Sequence, residues 1–398
     1  MDSQNIFREK SVYSDSSKVS SYQTRPKVEI REFFRNNEIV LMFIIRDGNY
    51  YLGTFDLFLP NVPLADINKF RNTIRDNYLK IRSKIQKAKT VPSGEQINKL
   101  YYEIAKVGNS LRTLIENINI SNTKFDELWN LLFSCNPENS GNIEVLSDSF
   151  IFPFEFLTDL SRKEEYLQGL LAYKYKFKKS FAGVNFELKS FQTTPRLACI
   201  YSKSVIPKKK PQNGNGEIIN EVENFMNLEK KGLLSLIQRC EEHFSSSLEL
   251  CDILEEIDFD ILHFACHVEH SSEKNSCLRF GEARFTKDDI IILGRKGIFE
   301  NKVIFLNGCK TENSNIDEVF GFTKLFYDYK AAIVICVDIE VPNEMANKFS
   351  IKFYNKLLEG EFDKKIDEIL YLTARELLDE DNDIAGFFYS LYGKNQLN

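Results

Sequence analysis

Apolar residues in this chain recur with two different periods, and the alternation between them lays out its elements. Residues 1–28 carry neither period. They are polar and Ser-rich, with Ser14, Ser16, Ser17, Ser20 and Ser21, and read as a mobile tail. Residues 38–45 and 50–55 are short apolar runs on either side of Arg46, Asp47, Gly48 and Asn49, and Asp-Gly between such runs predicts a β-hairpin. Spacing by three or four then takes over. Ile67, Phe70, Ile74, Tyr78, Ile81 and Ile85 form one amphipathic stripe, and Ile97, Leu100, Tyr101, Ile104, Val107, Leu111, Leu114, Ile115 and Ile118 form another. Val91, Pro92, Ser93 and Gly94 separate them, so the pattern predicts two long helices rather than one.

A break at Pro195 opens an apolar strand over 196–201. The Lys-, Pro- and Gly-rich stretch 207–216 follows and reads as a solvated loop, with a processing loop as the alternative. Ile218, Ile219, Val222, Phe225, Met226 and Leu228 mark a crossover helix, and a second helical segment covers 248–257. Unbroken apolar runs at 260–267, 302–309 and 331–338 read as buried strands. From Pro195 onward the predicted order is β-α-α-β-β-α-β-α, an α/β arrangement with a mostly parallel sheet and flanking helices. Two of its runs end in reactive side chains, His267 and Cys309. In such sheets chemistry sits beyond the carboxyl ends of the strands.

Composition narrows the classes. The chain has 398 residues, enough for one large or two medium domains, with 43% hydrophobic and 28% charged residues. Its formal net charge of −6 gives no general electrostatic reason to bind nucleic acid or an anionic membrane. The first ten residues lack the apolar core of a signal peptide, and the run 39–45 is too short to span a bilayer, so a cytoplasmic location is expected. The eight cysteines, at 135, 199, 240, 251, 266, 277, 309 and 336, include no C-x-x-C pair. That pattern predicts free thiols, mostly packed as small hydrophobes.

A thiol at its ordinary pKa is mostly un-ionised at neutral pH, so a nucleophilic cysteine needs an imidazole beside it. Cys309 and His267 are therefore paired as a candidate dyad. Strand alternation places His263, Ala265 and His267 on one face and Phe264 and Cys266 on the other, which makes Cys266 a poor nucleophile. His263 reads as a core histidine bonded to backbone and supporting the site; His243 and His270 read as surface residues. Two rivals stand: a metal-binding module drawing on His263, His267, Cys277 and Cys309, and a catalytically silent scaffold. The dyad mechanism requires no metal and no cofactor.

The order of these segments resembles the CHAT family of caspase-like cysteine proteases, distant relatives of separases. The resemblance rests on His263-Phe-Ala-Cys-His267, on Phe305-Leu-Asn-Gly-Cys309 and on the run 331–338. It also rests on 143–148 followed by Phe152-Pro-Phe-Glu-Phe-Leu157, and on Phe353-Tyr-Asn-Lys-Leu-Leu-Glu-Gly360. His267 precedes Cys309 by 42 residues, near the spacing of about 50 in caspases. The resemblance implies a caspase-like catalytic domain over 191–398, preceded by a smaller α+β, pseudo-protease-like region of hairpin and helices over 29–190 that packs on it. It implies an oxyanion hole from the amides of Cys309 and Val268, although relatives usually carry Gly at the latter position. Asp338, Glu340 and Asn307 are the expected substrate-binding residues, the two acids selecting a basic residue before the scissile bond, while Gly308 supports close approach of substrate. It further implies a protein substrate and a regulatory protein partner or sensor, in prokaryotic antiviral defence linked to CRISPR effectors or gasdermins. No 34-residue repeat is present, so a tetratricopeptide array is not expected to do the sensing.

Overall fold

The computed structural model describes residues 26–393 apart from several loops, the longest being 182–193 and 203–219, and for 308–320 it describes at most the backbone. The stretch 207–216, His243, most of the expected tail and the expected domain boundary near 190 lie outside the described residues.

The predicted hairpin strands form as β2 (Glu38–Asp47) and β3 (Tyr50–Leu59), paired antiparallel. An unpredicted strand, β1 (Pro26–Arg35), precedes it, pairs antiparallel with β2, and begins inside the segment expected to be tail. Both predicted helices are present, α1 (Leu64–Lys87) and α2 (Gly94–Ile118), followed by α3 (Phe125–Phe133). The run at 143–148 is β4 (Gly141–Ser147), and a 3-10 turn at Phe154–Phe156 carries the Pro-Phe-Glu segment with all three residues buried. α2 crosses that turn at Gly108, where a Cβ would lie 1.8 Å from the Phe156 carbonyl oxygen; only glycine permits the approach. A short helix α4 (Leu171–Lys174) leads into β5 (Tyr175–Ser180).

The remainder runs β6 (Arg196–Tyr201), α5 (Glu221–Lys230), β7 (Ser235–Glu241), α6 (Ser247–Glu256), β8 (Ile261–His270), β9 (Ser276–Phe280), β10 (Ala283–Thr286), α7 (Lys287–Arg295), β11 (Val303–Lys310), α8 (Ile316–Asp328), β12 (Ile333–Val337), α9 (Asn343–Glu359), α10 (Ile366–Asp381) and β13 (Tyr389–Gly393). The sequence pattern did not reveal β7, the β9–β10 pair, α10 or β13. β7 is a polar-interrupted run that among the described strands pairs with β6 alone, and it shows neither a continuous apolar stretch nor an alternation.

All thirteen strands among the described residues belong to one sheet, in the order β10-β9-β8-β11-β12-β13-β5-β4-β1-β2-β3, with β6 and β7 branching from β8. Seven of the twelve pairings are parallel and five antiparallel. The architecture is α/β, mostly parallel, with helices against both faces. The N-terminal strands extend this same sheet rather than forming a layer of their own, because β13 joins β12 on one side to β5 on the other.

Two apolar cores lie on the two faces. On one, Phe264, Cys266, Val268, Ile304, Leu306, Val334 and Cys336 pack with residues of α6, α7 and α8. On the other, Ile261, Ala265, Val303, Phe305, Ile333 and Ile335 pack with α1, α5, α9 and α10. The N-terminal helices are tied to the C-terminal segment: the Tyr78 hydroxyl donates to Asp383 at 3.1 Å and the Tyr101 hydroxyl to the Asn382 carbonyl at 2.9 Å.

Candidate active site

β8 and β11 are parallel neighbours with an unbroken register in which Phe305 lies opposite His263, Asn307 opposite Ala265, and Cys309 opposite His267. Registered residues of adjacent parallel strands share a face, and neighbouring strands run about 4.8 Å apart. The register therefore brings the positions of the candidate dyad side by side. Cys309 is the penultimate residue of β11, as expected. His267 is not at a strand end: β8 continues for three more residues and turns back into β9, where His267 pairs with Arg279. The imidazole is half-buried.

The extension of β8 has a cause. β6 pairs with its first half, residues 261–265, and β9 takes over the same edge from 267 onward, so the strand stays paired along its whole length. Val268, where relatives usually have Gly, lies within this paired stretch, opposite Leu278 on one side and Lys310 on the other. It adopts no left-handed conformation; among the described non-glycine residues only Asn301, Lys330 and Asn382 do. An extended backbone suits Val as well as Gly, which removes the steric difficulty that the substitution raised. Gly308 occupies β11 opposite Cys266.

Directly below the dyad row lies a buried polar network that sequence reasoning missed. α5 begins with a capping box in which Asn220 and Glu223 exchange side-chain bonds with each other's backbone. The cap fixes Glu221 as the first helical residue, 3% exposed, where the helix dipole favours a carboxylate. Its backbone N–H donates to Asn347 Oδ1 at 2.7 Å. Asn307 Nδ2 donates to Glu221 Oε2 at 3.0 Å and to the Ala346 carbonyl at 3.2 Å, while the Tyr389 hydroxyl donates to Asn307 Oδ1 at 2.8 Å. His263 Nε2 stands 3.2 Å from the same Glu221 oxygen, close but without hydrogen-bond alignment, and its Nδ1 is 3.2 Å from the Tyr354 hydroxyl.

Two expectations change. His263 is fully buried, as expected of a core histidine, but it meets side chains of α5 and α9 rather than backbone. Asn307 is not presented to a substrate: both ends of its amide are engaged and it is 3% exposed. The Asn-x-x-Glu pattern at 220–223 was the signal available, since a capping box places the intervening Glu221 at a helix start.

Asp338, just beyond β12, is not an open specificity residue either. Its Oδ2 accepts from Lys179 Nζ at 2.5 Å and from Ser390, and its Oδ1 accepts from the Tyr392 hydroxyl at 2.9 Å. Lys179 lies on β5 and also pairs with Glu155 of the 3-10 turn at 2.6 Å; Lys179 and Glu155 are buried and Asp338 nearly so. Burial by itself would lower the Lys179 pKa, but Asp338 and Glu155 outweigh it and hold the ammonium above its ordinary value. Glu340 keeps partial access to solvent and stands 4.0 Å from Arg75 of α1.

Cys266 lies on the opposite face from His267, buried in the core beneath α6, α7 and α8. Cys336 shares that core, and burial pushes its thiol well above the ordinary value. Burial likewise raises Cys135 and Cys277, and Cys251 to about 12. Among the described residues no group of three His, Cys, Asp or Glu is disposed to hold a metal ion. No described helix is long and apolar enough to cross a membrane.

Residues 216–388 match the CHAT domain family profile, a span that holds α5, β8, β11, β12 and every candidate site residue. Among solved structures, the Saccharomyces cerevisiae separase–securin complex aligns with a TM-score of 0.45 and 10% identity over 93% of this chain. The alignment covers 30% of that separase chain, so the present chain spans under a third of its length. No curated protein matches the sequence.

Proposed function

We propose, from the match of residues 216–388 to the CHAT domain profile, that this chain is a cysteine endopeptidase whose dyad is Cys309 and His267. The observation that carries this reading is the register of β8 on β11, which sets these two positions opposite each other on one face near the carboxyl end of β11. The Cys309 thiol passes its proton to His267, and the thiolate attacks the scissile carbonyl carbon. The C–S bond forms and the carbonyl π pair moves to oxygen. His267 then gives the proton to the leaving amine as the C–N bond breaks, and water, deprotonated by His267, releases the acyl group from sulfur.

The developing oxyanion needs backbone donors. The amide of Cys309, one residue from the end of β11, is the better placed of the two expected donors, because Val268 is flanked by ladder partners on both sides. With Asp338 held by Lys179, selection of a basic residue before the scissile bond falls to Glu340. The substrate is a specific protein, and cleavage is gated by a regulatory partner or signal, in the antiviral setting that CHAT proteases of prokaryotes commonly occupy.

The test is a peptide library varied at the residue before the scissile bond, together with iodoacetamide labelling read by peptide mass. Cleavage and selective labelling of Cys309, both lost in Cys309→Ala and labelling slowed in His267→Ala, support the dyad. A Cys309 that reacts no faster folded than in urea would leave the scaffold reading instead.

A further inference from the structure

Resting on the peptidase reading, we propose that Glu221 is the positioning residue of the dyad, acting through Asn307. Along the dyad face β8 presents His263, Ala265 and His267, and β11 presents Phe305, Asn307 and Cys309. Asn307 is thus the residue immediately below Cys309 on that face, and Ala265 the one immediately below His267. Ala265 carries a single methyl group, so the row between the two histidines has room for a group from outside the sheet. The Glu221 carboxylate fills that role: its Oε2 holds Asn307 Nδ2 at 3.0 Å and stands 3.2 Å from His263 Nε2. One oxygen atom therefore bridges the two strands that bear the dyad, through a hydrogen bond to Asn307 of β11 and a close contact, without hydrogen-bond alignment, to His263 of β8.

The bridge is rigid because each part is fixed independently. Asn220 and Glu223 cap α5, and Asn347 of α9 accepts from the Glu221 N–H. Tyr389 holds the other end of the Asn307 amide while its ring stacks on Phe349 at 3.7 Å. His263 is packed edge-on against Phe225 and beside Phe305. A purely packing role would be served by an apolar side chain at 221; a buried carboxylate is costly and is warranted where its geometry is used. The use here is to set β11 against β8 in both height and spacing, and hence the thiol against the imidazole. Small misplacements at this point are expensive, since about 1 Å of misplacement costs on the order of 100-fold in rate.

The experiment measures the second-order rate of iodoacetamide alkylation at Cys309 at pH 7 in the full chain, with the melting temperature recorded for each variant. Glu221→Ala removes the acceptor, and its rate should fall by about 100-fold. Glu221→Gln keeps an acceptor oxygen for Asn307 and should stay within about threefold of the unmodified protein, a rescue that loss of packing or of charge would not produce. Tyr389→Phe keeps the stacked ring but drops one bond to Asn307, and should fall by about tenfold. A folded Glu221→Ala that alkylates at the unmodified rate overturns the proposal, as does Glu221→Gln slowed as much as Glu221→Ala. Should Glu221→Ala not fold, an unchanged rate in Tyr389→Phe overturns it. If unmodified Cys309 reacts no faster than in the urea-unfolded chain, the dyad itself fails, and the positioning role fails with it.

Discussion

The two faces of β8, β11 and β12 differ in how they treat polar atoms. The face toward α6, α7 and α8 is largely apolar: Cys266 is buried among hydrophobic residues, and Cys336 is buried with its sulfur against the Thr323 hydroxyl and Asp338. The face toward α5 and α9 buries His263 and Asn307, each against the Glu221 carboxylate, and the dyad positions stand above them. The same residue type therefore has opposite prospects on the two faces. A thiol pushed up by desolvation, as Cys336 is, contributes no thiolate at neutral pH. A thiol registered with an imidazole can. The face, and not the count of cysteines, selects the nucleophile.

The largest effect should come from exchanging one face for the other. Cys309→Ala is expected to abolish peptide cleavage, whereas Cys266→Ala, on the apolar face, should leave both cleavage and the Cys309 alkylation rate essentially unchanged. Parallel loss in two folded variants, seen in the same cleavage assay, would erase the distinction between the faces.

Next comes the ionic cluster just beyond β12, where Asp338 meets Lys179 of β5 and Tyr392 of β13. Asp338→Ala leaves Lys179 paired with Glu155 but strips the Ser390 and Tyr392 hydroxyls of their acceptor, and should destabilise the fold by about 1–3 kcal/mol, read by urea denaturation. The cluster also predicts an alkaline limb. The folded pKa of Lys179 is raised, so its stabilisation is complete below the unfolded value of about 10.4 and is lost as pH rises through the folded value. A variant with Lys179→Met should lack that limb in a melting-temperature profile above about pH 10.

A smaller effect is expected at Glu340. If it selects a basic side chain, Glu340→Gln should lower kcat/KM for Arg and Lys peptides by about threefold to fivefold, the worth of a partly exposed ion pair, and spare neutral ones. Equal losses for both peptide classes would remove Glu340 from the specificity pocket.

The smallest effect belongs to the opposite end of the sheet, where Arg196 of β6 holds Asp260 through its Nε at 3.0 Å and its Nη2 at 3.0 Å. Burial would raise the Asp260 pKa, but the hydrogen bonds from Arg196 prevail and lower it. Its contribution is therefore present above the unfolded value of about 3.9 and lost as pH falls through the folded value. Because Arg196 is 38% exposed, Asp260→Asn should cost no more than about 1 kcal/mol at pH 7, with a correspondingly shallower acid limb in urea denaturation. A loss comparable to that of Asp338→Ala would mean that this pair is not screened as its exposure implies.

Much of the molecule was legible in the residues alone. Hydrophobic periodicity located α1 and α2, the Asp-Gly turn located β2 and β3, and the apolar runs located β8, β11 and β12. Strand alternation put His267 and Cys266 on opposite faces, since side-chain direction along a strand is a local property. Register between strands is not local. That Cys309 falls opposite His267, that β8 runs past His267 because β6 and β9 share its edge, and that β13 joins the two ends of the chain in one sheet were settled by pairing at long range. The buried charges were decided there too. In the sequence Asp338 and Asn307 are polar groups at strand ends, free to meet a substrate. Only the fold brings Lys179 from 159 residues away to the one and Glu221 to the other, because a buried polar group must find its partner wherever the packing places one.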